Sequence, residues 1–230
     1  MANDRVEAVE RALELLNCFS NEHPTLSLKQ LAEQSGFYKS TILRLAASLE
    51  RFGYLHRQAD GNYRIGATPL RLGEIYRKNL NIGDIIQPVL AELRDRFNES
   101  AAFYIRTGNT RTCLYRANAR RAIRHQLEEG HQLPLEQGAA GRVLLAWSGA
   151  EGETYQQIRS RGWYASLGER DPEVAAVAVP LLSAEKHLHG ALSVSGPISR
   201  FESSRQQELA AALLTVAAGL STTLMSRSSC

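Results

Sequence analysis

Lys39, Ser40, Thr41 and Arg44 crowd two short hydroxyls and two long cations into a turn and a half of helix, within the stretch "GFYKSTILRL" from residue 36 to 45. An arginine fork can donate two hydrogen bonds to a guanine edge, and hydroxyls or ammonium groups satisfy phosphates and bases at close range. The chemistry on offer is recognition of a polyanion rather than the making or breaking of bonds. Ser48 and Arg51 extend the same polar face by helical spacing. Arg57, Asn62 and Arg64 follow shortly after, placed to meet a neighbouring phosphate backbone or minor groove.

A solvated helix face would look similar in isolation, so the charge around it decides. The net charge of the 230-residue chain is only +3, too small to make the whole protein basic. Its distribution is uneven. Residues 1–36 hold three Lys/Arg and six Asp/Glu, net −3, whereas residues 37–79 hold eight and three, net +5. The positive field begins at the hydroxyl and cation cluster, where a polyanion would be drawn.

The elements that must position this cluster are legible. From Val6, the apolar residues Val9, Leu13, Leu16 and Phe19 recur every three or four positions and predict an amphipathic first helix. Ser27 with Gln30 makes a capping box opening a second helix, with Leu28, Leu31 and Ala32 inward and Gly36 closing it. The third helix starts near Lys39 and is expected to turn Ile42, Leu45, Ala46, Leu49 and Phe52 inside. "YLHRQADGNYRIG" then reads as a hairpin about Asp60-Gly61. Helix, helix, turn, helix and hairpin are the plan of a winged helix-turn-helix, whose second motif helix enters the major groove with its N-terminal residues on base edges.

From Leu70 to about Phe97 the pattern is helical, interrupted at Gly83 and Pro88 and so read as two helices. The first has an apolar stripe at positions 70, 72, 75, 76 and 80 that asks for a partner subunit or a second domain. The period then changes to two. "AAFYIRTGNTRTCLYRANA" reads as a hairpin about Gly108-Asn109, "AIRHQL" as another strand, "GAAGRVLLAW" as a helix, and "EVAAVAVPLL" and "GALSVSG" as two more strands. A last helix begins near Ser204. Without the regular crossover rhythm of a parallel sheet, the class is α+β, an antiparallel sheet with helices packed on it.

Bulk properties exclude several classes. A hydrophobic content of 43% with 22% charge is that of a globular chain, neither disordered nor collagen-like. Cys18, Cys113 and Cys230 have no paired spacing for a disulfide framework or zinc site, which fits a reducing, cytoplasmic setting. "MANDRVEAVERALELL" carries acids where a signal peptide is basic, and "LAAALLTVAAGLSTTLM" is short for a bilayer span, so no membrane association is expected. No serine sits in a nucleophile elbow beside a base, and "GAAGR" lacks the lysine of a phosphate loop. His187 and His189 fall in a turn with Glu185 as the nearest acid, and read as solvated turn residues rather than metal ligands. No enzyme, cofactor or metal is expected. The competing non-enzyme reading is a sensor or adaptor whose winged helix binds protein.

Taken together, "VERALELLNCF", "LSLKQLAEQSGFYKSTILRLAASLERFGYL", "GNYRIG", "LPLEQGAAGRVLLAW", "RGWY", "VAVPLL" and "GALSVSGPISRF" resemble the isocitrate-lyase-regulator (IclR) family of bacterial transcription regulators over nearly the whole chain. The resemblance implies a winged helix-turn-helix over residues 1–67, a linker helix over 68–80 and a GAF-like effector-binding domain over 81–230. It implies a homodimer or homotetramer on a roughly palindromic double-stranded operator, most often as a repressor and sometimes as an activator, controlled by a small organic effector, commonly a carboxylate or aromatic metabolite.

The same resemblance places the effector pocket at Leu133, Ala139 and Ala140, where backbone amides at a helix N-terminus can hold an anion, and at Ser193 and Ser195 on one strand face. Three positions depart from the family pattern. Ala176 stands where a cysteine is common, Ser166 falls where an acid is common with Glu169 nearby, and the pocket helix running to Gly141 and Arg142 lacks its threonine. The implied pocket is less polar than usual unless an arginine such as Arg124 contributes. A weakly polar or aromatic acid is therefore expected, rather than a two- or three-carbon hydroxy or keto acid.

Overall fold

The structure is a computed structural model that describes residues 5–80, 82–121 and 127–228. It divides into two compact units, Met1–Leu80 and Asn81–Cys230.

In the first unit, helices α1 (Glu7–Asn17), α2 (Leu28–Ser35) and α3 (Lys39–Arg51) pack about a core of Leu15, Leu26, Leu31, Ile42, Ala46, Leu49, Leu55 and Tyr63. The capping box forms as the sequence predicts: Ser27 Oγ accepts from the Gln30 amide at 3.3 Å, and Gln30 Oε1 accepts from the Ser27 amide at 2.9 Å. Gly36, in the left-handed region at φ 71°, ends α2 and frees the chain to start α3 three residues later. Strands β1 (Thr25–Leu26), β2 (Leu55–Arg57) and β3 (Tyr63–Ile65) form an antiparallel sheet in the order β1-β3-β2, the last two joined across the predicted hairpin. Helix α4 (Thr68–Leu80) follows, and the Thr68 hydroxyl donates to the Phe52 carbonyl at 2.7 Å.

Two expectations for this unit are corrected. Phe52 is 68% exposed, because the chain leaves helical geometry at the cap of α3 and swings the ring outward, where the Arg51 guanidinium lies 6.0 Å from it. On α1 it is Leu15 that is fully buried, with Leu16 and Phe19 packed against the core, while Val9 and Leu13 are exposed. The helix carries two apolar stripes, and one alone faces this core. The stripe of α4 is exposed at Leu70, Leu72, Ile75 and Tyr76.

The second unit is built on a six-stranded antiparallel sheet in the order β6-β5-β4-β9-β8-β7. Its strands are β4 (Ser100–Thr107), β5 (Thr110–Ala117), β6 (Gln132–Pro134), β7 (Tyr164–Leu167), β8 (Val174–Leu182) and β9 (Leu188–Pro197). Helices α6 (Ala139–Trp147) and α7 (Glu153–Arg161) cover one face, burying Ala102, Tyr104, Cys113, Ala178 and Ala191 together with Val143, Leu144 and Ile158. The alternate residues Phe103, Val177, Val179, Leu192 and Val194 are buried on the other face, with α5 (Gly83–Phe97) and α8 (Ser203–Ser228). The α+β class is thereby observed, with every strand pair antiparallel.

Pro88 does not break the helical tract. It lies inside α5, where it forfeits one backbone hydrogen bond, and the interruption falls before Gly83. Strand β7, within the motif after "RGW", and the two-residue β1 had no pattern long enough to announce them. The strand expected at "AIRHQL" lies almost wholly outside the described residues.

Candidate functional site

The outer face of α3 carries the first candidate site. Lys39, Ser40, Arg44, Ser48 and Arg51 are exposed on it, while Thr41 is half-buried. The set is not one flat surface. Thr41, Arg44 and Ser48 line an open groove beside α1, across from Glu7 and Arg11, which pair with each other one turn apart. The Ser48 hydroxyl donates to the Arg44 carbonyl at 3.4 Å, so it is partly turned to its own helix. Two exposed apolar side chains share the neighbourhood and were not foreseen: Tyr38, 85% exposed at the cap of α3, and Leu43, 42% exposed.

On the hairpin, Arg57 and Arg64 are exposed on opposite strands. The Arg57 guanidinium lies 5.6 Å from the Tyr63 ring centre, which restricts its swing. Asn62 is committed to the turn, its amide nitrogens bonded to the Asp60 carboxylate at 2.9 Å.

The second candidate site is a small cavity in the second unit, about 40 Å³ in volume. Leu133, Ala139, Ala140, Ser166, Ala176, Ser193 and Ser195 all line it. The register shows how. Ser166, Ala176 and Ser195 form one row across β7, β8 and β9, and Ala178 and Ser193 stand side by side in the next row of that sheet face. Small side chains at these positions leave the hollow, and the N-terminus of α6 closes its far side. The Ser193 hydroxyl is spent on the Val177 carbonyl at 3.1 Å.

The wall also contains Tyr104, Arg111, Arg170 and Asp171, which sequence reasoning missed. The pocket is therefore more charged than expected, although Arg124 itself lies outside the described residues. Arg111 rises from β5, paired with Leu133 on β6, and is 4% exposed. One terminal nitrogen donates to the Pro134 and Gln137 carbonyls, and the guanidinium lies 5.6 Å from the Tyr104 ring centre. Burial lowers its pKa from the ordinary value, while the nearby Tyr104 phenol opposes that shift. Gly141 is needed above it, because a Cβ there would stand 2.2 Å from the Leu135 carbonyl oxygen and 2.4 Å from the guanidinium.

Glu169 ties the loop after β7 to this wall. Its carboxylate accepts from the Gly138 amide just before α6 at 3.0 Å, from Arg142 Nε at 3.4 Å and from the Tyr164 hydroxyl at 2.7 Å. Burial, followed by the bond to Glu169, pushes the Tyr164 phenol up to about 12. Burial pushes the Tyr104 phenol and the Cys113 thiol up to about 12 as well, so both are neutral at physiological pH. No group of three or more metal-ligating side chains occurs among the described residues, and no described helix is long and apolar enough to cross a membrane.

Comparison with known proteins gives consistent results for both units. The family model for the IclR helix-turn-helix domain matches residues 8–59, and that for the bacterial transcriptional regulator IclR C-terminal domain matches residues 75–155 and 152–222. The HTH-type transcriptional regulator KipR of Bacillus subtilis is 27% identical, the match covering 86% of this chain and 89% of KipR. An IclR family transcriptional regulator from Brucella abortus superposes with a TM-score of 0.73 at 26% identity, covering 96% of this chain and 94% of that one. An IclR homologue from Microbacterium hydrocarbonoxydans, solved in complex with 4-hydroxybenzoate, has the same fold, with a TM-score of 0.76 at 20% identity over 96% of this chain and all of the other.

Proposed function

The chain belongs to the IclR family of transcriptional regulators, and from that premise we propose that it binds a specific, roughly palindromic double-stranded operator as a repressor. Its operator affinity is set by a small organic acid bound in the cavity of the second unit. Residues 1–67 bind DNA, 68–80 link, and 81–230 bind the effector. The working form is a homodimer or homotetramer, since a palindrome is read by symmetric copies, and its setting is the cytoplasm.

The observation that carries this reading is the exposed face of α3, where Lys39, Ser40, Arg44 and Arg51 stand clear of the core beside the exposed Arg57 and Arg64 of the wing. Hydroxyls and cations at the start of the second motif helix suit base edges, and cations on the wing suit phosphates. The effector shifts operator affinity only as far as it prefers one arrangement of the assembly over another.

For the effector, a weakly polar or aromatic acid fits the walls, to which Leu133, Val174 and the alanines 139, 140, 175 and 176 contribute. The 4-hydroxybenzoate held by the Microbacterium homologue is of this class. A thermal-shift panel in which two- and three-carbon acids alone stabilise the protein would refute that choice.

The regulator reading is tested by capture of genomic fragments with the purified protein at two salt concentrations, with Arg44→Ala as control. Recovery of a few fragments sharing a palindrome, lost in the variant and weakened by salt, is expected. Recovery of no fragment, or of the same fragments with both proteins, would leave the winged helix without a DNA role. The exposed Tyr38, Leu43 and Phe52 then favour a protein-binding adaptor.

A further inference from the structure

The side of α3 turned away from the core is not uniformly polar. Ile42, Ala46 and Leu49 are buried, and through that side α3 packs on α1, α2 and β2. Thr41, Arg44 and Ser48 turn to the groove beside α1. The open remainder is a row at helical spacing, Lys39, Leu43 and Ala47, edged by Ser40 and Arg51, and all five are exposed. The middle and the far end of that row present methyl groups, not donors or acceptors.

A single exposed leucine on a protein surface needs no explanation. Leu43, 42% exposed, differs in where it stands. It lies one turn after Lys39 and next to Arg44, in the region 37–79 that holds eight Lys/Arg against three Asp/Glu. Such a surface draws a polyanion in preference to an apolar protein face. What a duplex can offer to this row is narrow. Base pairs show donors and acceptors along the major groove, and a leucine set against them removes their water and returns no hydrogen bond. The methyl group of thymine is the only methyl on that edge, and apolar side chains are its suited partners.

We infer that Leu43 is a specificity residue of the first unit and reads the methyl group of a thymine in the operator, with Ala47 extending the apolar row. This rests on the reading of the first unit as a DNA-binding domain and adds what one position of the operator must contain. Leu43 selects by burying a methyl and by leaving the polar groups of any other base edge unpaired, whereas Arg44 selects by hydrogen bonds. The surrounding cations supply attraction to the phosphates and carry no preference for sequence.

The test uses the full chain and a duplex taken from the genomic fragment that it captures. Each thymidine is replaced in turn by deoxyuridine, which removes the methyl and keeps the pairing and the polar base-edge groups. Fluorescence anisotropy gives the dissociation constants for the parent, Leu43→Ala and Arg57→Ala. In the parent, at least one replacement is expected to weaken binding about fourfold, the factor that burying one methyl group gives. Leu43→Ala should bind that duplex and the unmodified one alike, while Arg57→Ala keeps the fourfold difference. Alanine is a strong helix former and the position is exposed, so the Leu43 variant should keep its fold, as circular dichroism would show. A flat deoxyuridine scan on a captured operator, or a methyl effect of the same size in Leu43→Ala, overturns the inference and leaves the DNA-binding reading in place. Capture of no fragment overturns that reading and this inference with it.

Discussion

Glu169 Oε2 accepts a hydrogen bond of 3.0 Å from the Gly138 amide, so a side chain on the loop after β7 caps the helix that closes the cavity. The sequence separation is 31 residues, and α6 has no side-chain cap at the adjoining residue. Removing the carboxylate leaves the Gly138 amide and the Tyr164 hydroxyl without their acceptor. Glu169→Ala is expected to cost about 1–3 kcal/mol in the stability of the second unit. Glu169→Gln, which can still accept, should cost less. Denaturant unfolding followed by circular dichroism measures both, and an alanine variant as stable as the parent would mean that water caps this helix equally well.

Tyr164 and Tyr104 provide a pH-dependent readout of the same region. Both phenols are pushed from 10.0 to about 12, in each case first by burial. The fold favours the neutral phenol, so its contribution to stability is complete below pH 10 and is lost as pH climbs from 10 toward 12. Ultraviolet titration of the folded protein should show two tyrosines ionising about two units late. In Glu169→Ala the Tyr164 step should move down while that of Tyr104 stays. Eight tyrosines titrating together near 10 in a folded sample would contradict the burial of both rings.

What the sequence made legible was local. Ser27 and Gln30 are three residues apart, Gly36 closes their helix, and Ile42, Ala46 and Leu49 repeat at helical spacing, so the first unit could be laid out from its period and caps. Ser193 and Ser195 could be put on one face by alternation, and they are on one face. Arg111 and Arg170 were not legible, because what brings them together is strand register and a loop pinned by Glu169, not spacing. Val9 and Leu13 misled for a related reason: apolar period says that a stripe exists, not which neighbour covers it.

Gly196, in the motif "GALSVSGPISRF", shows why that stretch carries a small residue before its proline. A Cβ there would stand 2.2 Å from Glu99 Oε2, and Glu99 is 3% exposed and paired through both oxygens with Arg200. Displacing Glu99 breaks a largely buried ion pair, so Gly196→Ala should destabilise the second unit by about 3 kcal/mol or more. Arg200→Met should be comparable, since it strands the Glu99 carboxylate. The double variant Glu99→Leu with Arg200→Met should recover most of the loss, as no buried charge is then left unmatched. If Gly196→Ala melts with the parent, the carboxylate has room to move that the packing does not show.

Arg44 and Arg57 should fail in different ways if the first unit reads DNA as proposed. Arg44 stands on α3 at the groove shared with Thr41 and Ser48, where a fork can address a base edge. Its replacement by alanine is expected to cost about 1–3 kcal/mol in specific binding and to relax preference at one operator position. Arg57 is held against the Tyr63 ring on the wing, where a guanidinium meets phosphate. Arg57→Ala should weaken all sequences alike and reduce the slope of log affinity against log salt by about 1. Titrations of operator and scrambled duplexes at several salt concentrations separate the two. Equal loss of sequence preference in both variants would mean that the wing, and not α3 alone, reads bases.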